Sequence, residues 1–245
     1  MKKYILSVLL MAAAVVAPGL AQASGGGAHL EKANIDIHDK ASLQRGAKLF
    51  VNYCLSCHSA QFQRYNRMAA DLGLTEEEVQ QNLMFTTDKI GETMKVAMKP
   101  ADAERWFGVA PPDLSVITRA RGVDYIYTYL KGFYADPKRP FGVNNVVFPD
   151  AAMPHVLGGL QGQQQAVFKE EHGQKVFERF EPAVGGSLSP EAYDEVARDL
   201  TNFLTYVGEP IQATRQSMGK WVLMFIAVFF VLAYLLKKEY WKDVH

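Results

Sequence analysis

The 245-residue sequence contains only two cysteines, Cys54 and Cys57. Two thiols are too few for a disulfide-stabilised scaffold or for a zinc site with four cysteine ligands. The sequence also lacks an excess of charge of either sign, because 26 Lys and Arg residues balance 26 Asp and Glu residues. A chain without excess positive charge is not suited to neutralising a phosphate backbone, so nucleic acid is excluded as the default partner.

Three further patterns are missing from the sequence: a persistent strand alternation, an internal repeat, and a glycine-rich phosphate loop between a strand and a helix. Apolar residues make up 49% of the chain and charged residues 21%, which argues against general disorder. The length suits one fair-sized domain with appended segments, or at most two small domains. We therefore expect a mainly helical soluble domain with long loops that a bound cofactor could organise.

The N-terminus has the three parts of a secretory signal. Lys2 and Lys3 precede the uncharged stretch 4–17, and small residues at 21–23 indicate cleavage after Ala23. The alternative, a membrane anchor, fails on length, because a helix of this stretch rises about 21 Å against a hydrocarbon core of about 30 Å. We expect residues 1–23 to be a signal peptide and the following domain to be exported to the periplasm.

A second apolar run lies near the C-terminus, from Trp221 to Leu236, and contains no ionisable side chain apart from a tyrosine. It is apolar on every face, which favours a membrane span over a buried core helix. We expect a single-pass anchor over residues 215–238 in the inner (cytoplasmic) membrane and its lipid bilayer. Export directed by the signal peptide predicts that the tail, residues 239–245, lies in the cytoplasm. Lysines at 237, 238 and 242 agree with this orientation, although Arg215 and Lys220 on the other flank weaken that charge signal.

The soluble part is expected to begin after an N-terminal leader, residues 24–41, which contains three consecutive glycines and is expected to be mobile unless it packs on a partner. The domain itself spans 42–214 and should open with an amphipathic helix that runs from Ser42 into the cysteine pair, with Gly46 allowing close approach of another helix. Ser189 and Pro190 predict the start of a long final helix that ends near Gly208. The two terminal helices are expected to cross. Shorter helices are expected at 76–83, 87–98 and 124–133.

The motif that carries the chemistry is Cys54-Leu55-Ser56-Cys57-His58. C-x-x-C-H is the c-type haem attachment sequence, in which both thiols bond to the porphyrin edge and the histidine binds the iron. A thioredoxin-like dithiol would follow a strand, whereas this pair follows a helix, and a structural disulfide is the remaining alternative. We therefore expect one covalent haem c per chain, with His58 as an iron ligand.

The ligand for the second face of the iron must come from elsewhere in the chain. Met153 lies in a loop with small neighbours and Pro154 behind it, whereas Met84, Met94 and Met98 lie in stretches where filling the core is the ordinary role. On the sequence pattern alone Met153 is favoured, while His155, another residue or an open coordination site are the alternatives.

Four sequence features, of which the first includes this motif, follow one another along the chain. They are GAKLFVNYCLSCHS, APPDLSVITRARGVDYIYTYLKGFY, FPDAAMPHVL, and a single C-terminal span with a lysine-rich tail. In this order they resemble the cytochrome c1 family of the cytochrome bc1 complex in Proteobacteria, over essentially all of residues 42–245. The resemblance implies a mainly α, cytochrome c-like haem domain with long loops plus one C-terminal transmembrane helix. It also implies that Cys54 and Cys57 are the thioether anchors, His58 the proximal ligand and Met153 the distal ligand.

The resemblance implies further cofactor-binding residues. Pro112 would belong to the haem pocket wall, and Arg119 or Arg121 would lie near a haem propionate, because a guanidinium pairs well with a carboxylate. Of the two arginines, Arg121 is favoured. Exposed arginines at a helix end are the alternative for both. Tyr125 would line the pocket, although Tyr125, Tyr127 and Tyr129 equally fit ordinary core or interface aromatics.

The function implied by the resemblance is electron transfer within a quinol–cytochrome c oxidoreductase. The donor would be the Rieske iron–sulfur protein, the acceptor a c-type cytochrome, and the membrane helix would pack on cytochrome b in a dimeric complex. The chain would hold no quinol site and no catalytic residue of its own. An independent membrane-tethered cytochrome c, a haem enzyme with an open iron site, and a structural subunit without haem are the alternatives.

Overall fold

The computed structural model describes residues 29–171 and 173–242. The expected signal peptide, the first five residues of the expected leader and the last three residues of the expected tail lie outside this part of the chain. The helices are α1 (Lys40–Leu49), α2 (Tyr65–Leu72), α3 (Glu76–Asn82), α4 (Pro100–Phe107), α5 (Ile117–Arg121), α6 (Val123–Lys131), α7 (Gly158–Gln161), α8 (Pro190–Gly208) and α9 (Gln212–Tyr240). The strands are β1 (Ala60–Arg64), β2 (Thr93–Met94), β3 (Phe133–Ala135), β4 (Val143–Asn145), β5 (Ala166–Glu171) and β6 (Gln174–Phe180). They form three antiparallel pairs, β1 with β2, β3 with β4 and β5 with β6.

Helix α1 confirms the expected helix before the cysteine pair. It begins after Asp39, whose carboxylate accepts a hydrogen bond from the Ser42 N–H at 3.0 Å and so caps the first turn. The helix then continues as a π-helical turn, Phe50–Cys54, which brings the chain directly to the first cysteine. Wider turns of this kind are frequent at functional sites because they change the direction of side chains within a continuous helix.

Helix α8 crosses α1, as the sequence predicts. Ser189 caps it by accepting from the Ala192 N–H at 3.2 Å, and Pro190 occupies its first position. At the crossing a Cβ atom on Gly46 would lie 2.2 Å from the Asp199 carbonyl oxygen, so the two backbones approach as only a glycine permits. Phe203 packs beside this contact against Phe50, with ring centroids 5.6 Å apart. The terminal helices therefore form the central part of the core.

The expected helix over residues 87–98 is wrong. This segment contains turns and the short strand β2, in which Met94 pairs with Ala60 of β1. The backbone carbonyls of Ile90 and Glu92 accept hydrogen bonds from the first N–H groups of α2, at 2.9 and 3.1 Å. A helix leaves its first N–H groups without intrahelical partners, and here the 87–98 segment satisfies them in place of forming a helix itself.

The hairpin of β5 and β6 is a second difference from the sequence analysis, which expected no strands. Its two strands pair from Ala166 opposite Phe180 to Glu171 opposite Gln174. Gly173 has a φ of +77°, the left-handed conformation that a tight connection favours. The fold remains mainly α-helical, with this hairpin as its longest stretch of β structure in the described residues.

The described part of the expected leader is packed on the domain, contrary to the expectation that it is mobile. Ala33 is completely buried, and its N–H donates to Asp124 Oδ1 at 3.0 Å. The neighbouring Lys32 forms an ion pair with the same carboxylate at 2.7 Å, and the Glu31 N–H donates to Thr128 Oγ1 at 2.9 Å. These contacts fix the segment along α6 within the chain itself.

Helix α9 is, within the residues that the structure describes, the one helix long and apolar enough to cross a membrane. It has 29 residues and none of them is buried, which excludes the alternative of a core helix. At about 1.5 Å per residue its length exceeds a hydrocarbon core of about 30 Å. Its length and composition thus make α9 a candidate membrane span, in the place where the sequence predicts one.

Candidate functional site

One cavity of about 430 Å³ lies between the cysteine-bearing turn, α5, α6, α8 and the loop that follows β4. This volume is within the ordinary range for a small-molecule or cofactor site. Most of its walls are apolar, and the predicted site residues that line it are Cys54, Cys57, His58, Pro112, Arg121, Tyr125 and Met153. The fold therefore brings together residues separated by about one hundred positions in the sequence.

The turn after Cys54 is tightly closed by backbone hydrogen bonds. The N–H groups of Cys57 and His58 both donate to the Cys54 carbonyl oxygen, at 3.0 and 2.8 Å. Both thiols are free, so the alternative of a structural disulfide does not apply to this structure. Burial, with a smaller effect of the neighbouring Cys57, raises the pKa of the Cys54 thiol to about 12. The two thiols thus line the same cavity side by side.

The imidazole of His58 is held in one tautomer. Its Nδ1 lies 2.7 Å from the Pro112 carbonyl oxygen, which can only accept, so Nδ1 carries the proton and Nε2 keeps its lone pair. Burial lowers the pKa of His58, which favours the neutral ring. Metal-binding histidines commonly donate their second N–H to a backbone carbonyl in this way, and the contact fixes the ring as a ligand. Pro112 therefore contributes to the site through its carbonyl as well as through its ring.

Met153 approaches the same cavity from the loop after β4. Its thioether sulfur accepts a hydrogen bond from the Tyr129 hydroxyl, with 3.5 Å between Oη and Sδ. The alternative ligand His155 is not among the cavity-lining residues. Its ring stacks on Phe133, with centroids 4.8 Å apart and planes 7° from parallel, and burial lowers its pKa to about 4.

The two arginines have different surroundings. Arg121 lines the cavity, and its guanidinium carbon lies 5.7 Å from the centroid of the Tyr125 ring. Arg119 does not line the cavity. Its Nη1 atom lies 3.5 Å from Glu209 Oε2, at the junction of α8 and α9. The structure therefore brings Arg121 and Tyr125 into the site and leaves Arg119 outside it.

Tyr129 is a cavity residue that the sequence analysis left among the ordinary aromatics. It follows Arg121 and Tyr125 at a spacing of four, which places all three along one face of α5 and α6. Its ring is stacked on Tyr125, with centroids 6.4 Å apart and planes 6° from parallel. Tyr127 lies on another face, where its hydroxyl donates to Asp194. The spacing of four from Tyr125 was the signal available in the sequence.

The donor set fits a porphyrin better than a bare metal ion. Among the described residues, no cluster of three or more His, Cys, Asp or Glu side chains could hold a metal. The cavity instead offers two adjacent thiols, one imidazole with a free Nε2 and one thioether, within mainly apolar walls. Imidazole and thioether are the axial ligands typical of c-type cytochromes, and thiols supply their covalent attachment.

Comparisons with known proteins agree with this site. The cytochrome C1 family model matches residues 31–165 and 187–244, so that the unmatched part contains the β5–β6 hairpin. Cytochrome c1 of Allochromatium vinosum is 55% identical, with full coverage of both chains. A Nitrosomonas europaea protein named ammonia monooxygenase gamma subunit is 48% identical over 96% of this chain and 97% of its own. Cytochrome b/c1 of Bradyrhizobium diazoefficiens is 29% identical over 84% of this chain and 34% of its own. The chain belongs to the cytochrome c1 family and is a haem c electron-transfer protein.

Proposed function

We propose that this chain is the haem c subunit of a cytochrome bc1 complex, taking electrons from a Rieske iron–sulfur protein and passing them to a c-type cytochrome. The observation that carries the proposal is the single cavity in which Cys54, Cys57, His58 and Met153 meet. Cytochrome b is the expected membrane partner of α9, and the name of the Bradyrhizobium relative, cytochrome b/c1, joins these two proteins. By the same resemblance, the complex is expected to be a dimer.

In this proposal each cavity residue has a defined task. When bound, the haem supplies reversible one-electron chemistry at its iron. Cys54 and Cys57 would attach it covalently through thioether bonds, and the Pro112 carbonyl, which holds the His58 ring in one tautomer, would leave Nε2 as an iron ligand. Met153 would hold the iron through its thioether sulfur. With two protein ligands on the iron, the haem would supply electron transfer in preference to activation of a bound substrate.

Arg121 is the proposed partner of a haem propionate. It is the arginine of the pair that lines the cavity, and its position over the Tyr125 ring limits its freedom. A guanidinium and a carboxylate form a charge-assisted pair, which offsets the cost of placing the propionate next to apolar walls. Arg119 is assigned no such contact, because it pairs with Glu209.

The proposed orientation places the haem domain in the periplasm. It is based on the signal peptide expected over residues 1–23 and on the lysines at the end of α9, Lys237 and Lys238, which favour the cytoplasmic side. The inner membrane then holds α9 as a single span. In this arrangement the cavity faces the compartment in which soluble c-type cytochromes move.

The ligand assignment is tested on the full-length protein with the substitution Met153→Leu. We expect covalent c-type haem in the wild type that does not bind carbon monoxide, and carbon monoxide binding in Met153→Leu because a coordination site becomes vacant. Met68→Leu is the matched control, since Met68 is completely buried but does not line the cavity. Carbon monoxide binding by the wild type would contradict two fixed axial ligands and favour a haem enzyme.

The assembly is tested by purification of the tagged chain from membranes solubilised in mild detergent. We expect cytochrome b and a Rieske protein to copurify with it in fixed proportion. Purification of the chain alone would favour the independent membrane-tethered electron shuttle. Recovery of monooxygenase subunits would instead agree with the name of the Nitrosomonas relative.

A further inference from the structure

Met153 receives a hydrogen bond whose donor is itself held on several sides. The Tyr129 hydroxyl donates to Met153 Sδ across 3.5 Å, within the range for a sulfur acceptor. On one side the Tyr129 ring is stacked on Tyr125 at 6.4 Å, and on the other it meets the edge of Phe133 at 5.2 Å. These contacts leave the phenol little freedom to turn away from the sulfur.

The distance between Tyr129 and the methionine loop is also fixed through the backbone. Asn145, which is 1% exposed, donates from Nδ2 to the Tyr129 carbonyl oxygen at 2.8 Å. Its Oδ1 accepts from the N–H groups of Val147 and Phe148, at 2.9 and 3.3 Å, where the loop toward Met153 begins. One buried amide therefore ties the C-terminal part of α6 to the loop that carries the sulfur.

We propose that Tyr129 is a positioning residue for Met153, whose hydroxyl holds the thioether sulfur at the cavity and reduces the sulfur's donation of electron density. This inference rests on the proposed role of Met153 as an iron ligand. A thioether sulfur has two lone pairs, so it can bind a metal with one and accept the phenol proton with the other. An accepted hydrogen bond makes the sulfur a weaker donor, which disfavours oxidised iron and raises the reduction potential.

The test compares Tyr129→Phe with Tyr127→Phe in the full-length protein with haem. Both substitutions remove one phenol hydroxyl from α6, but the Tyr127 hydroxyl is bonded to Asp194 and lies away from the cavity. For Tyr129→Phe we expect the ratio of reduced to oxidised protein at a fixed ambient potential to fall about twofold to threefold. This is a decrease of about 20 to 30 mV, since a tenfold change corresponds to about 59 mV for one electron. The potential of Tyr127→Phe should equal that of the wild type.

A second readout measures how firmly the sulfur stays in place. Reduced Tyr129→Phe should bind carbon monoxide faster than the reduced wild type, because the Met153 thioether dissociates from the iron more often when the hydrogen bond from Tyr129 is absent. Site-specific replacement of Tyr129 by 3-fluorotyrosine keeps the ring and provides a more acidic donor, so it should raise the potential. This opposite shift does not depend on the folding of a variant that lacks the hydroxyl.

Two outcomes separate this inference from the ligand assignment. If Met153→Leu opens the iron to carbon monoxide while Tyr129→Phe and the fluorotyrosine variant keep the wild-type potential, the role of Tyr129 is overturned and Met153 remains the ligand. If Met153→Leu leaves the spectrum and carbon monoxide resistance of the wild type unchanged, the ligand assignment itself fails, and the role proposed for Tyr129 fails with it.

Discussion

Replacing Gly46 with alanine should loosen the crossing of α1 and α8. A Cβ atom at this position would lie 2.2 Å from the Asp199 carbonyl oxygen and 2.6 Å from the Phe203 Cβ. Neither neighbour is the movable end of a long side chain, so the helices must separate. Since α1 continues into the turn that carries Cys54, a shift at Gly46 is expected to reach the proposed haem attachment site as well.

Two opposing contributions set the size of this effect. Alanine is a better helix former than glycine by about 1 kcal/mol, which alone would stabilise α1. Overpacking a well-filled contact costs about 1 to 3 kcal/mol, and a clash with backbone belongs at the upper end of that range. We expect a net loss of about 2 kcal/mol, which corresponds to a decrease of about 4 to 8 °C in Tm for a chain of this size.

The assay is thermal unfolding of the detergent-solubilised full chain with its haem, followed by far-ultraviolet circular dichroism. Gly159→Ala is the matched control, because Gly159 is also helical and an added Cβ there meets no atom within 4 Å. The control should melt at or slightly above the wild-type temperature. A Gly46→Ala protein that melts with the control would refute the close approach of the two helices as the reason for glycine at this position.

Two further predictions concern charged and titratable groups. Arg45→Met should destabilise the protein by about 1 to 2 kcal/mol, because it removes a two-point ion pair (2.6 and 2.9 Å) from the largely buried Asp199 while Arg45 itself is half exposed. In chemical denaturation most of this loss should disappear in the Asp199→Asn background, and equal losses in both backgrounds would contradict the pairing. His155 should make stability fall as the pH decreases from about 6.5, its unfolded pKa, toward its folded pKa of about 4, because the unfolded state then binds the proton more readily. The free energy of unfolding should change less steeply with pH over this window in His155→Gln. An unchanged dependence on pH would mean that another group titrates there.

Local signals in the sequence were sufficient for the terminal helices and for one half of the site. Ser189 and Pro190 predicted the start of α8 because a capping side chain and a fixed φ act within one turn. The cysteine motif predicted adjacent thiols and an imidazole for the same reason, since all three are set by five consecutive residues. Gly46 predicted a close approach without indicating its partner.

Some features that depend on distant neighbours were not predicted. The 87–98 segment has enough apolar residues for a helix, but its carbonyl groups are engaged by the start of α2, and the sequence gives no sign of that contact. The β5–β6 hairpin was missed because its apolar residues stand next to one another, at 166–168 and 176–177, and do not alternate with polar residues, while the positions beside Gly173 are polar. Arg121 was favoured over Arg119 without a physical reason in the sequence, and the contact of Arg119 with Glu209, near the end of the domain, supplies one.

The two sides of the site are held in different ways, and this bears on how the protein can tune its chemistry. The cysteines and His58 follow a continuous helix that is locked against α8, so their positions change only if the core changes. Met153 lies in a loop without regular structure, where single side chains, Asn145 and Tyr129, fix the backbone and the sulfur. A substitution on the loop side can therefore alter the proposed methionine ligand without disturbing the fold. Variation in reduction potential among relatives is accordingly expected to arise on the methionine side of the cavity, whereas variation on the cysteine side should chiefly affect stability and haem attachment.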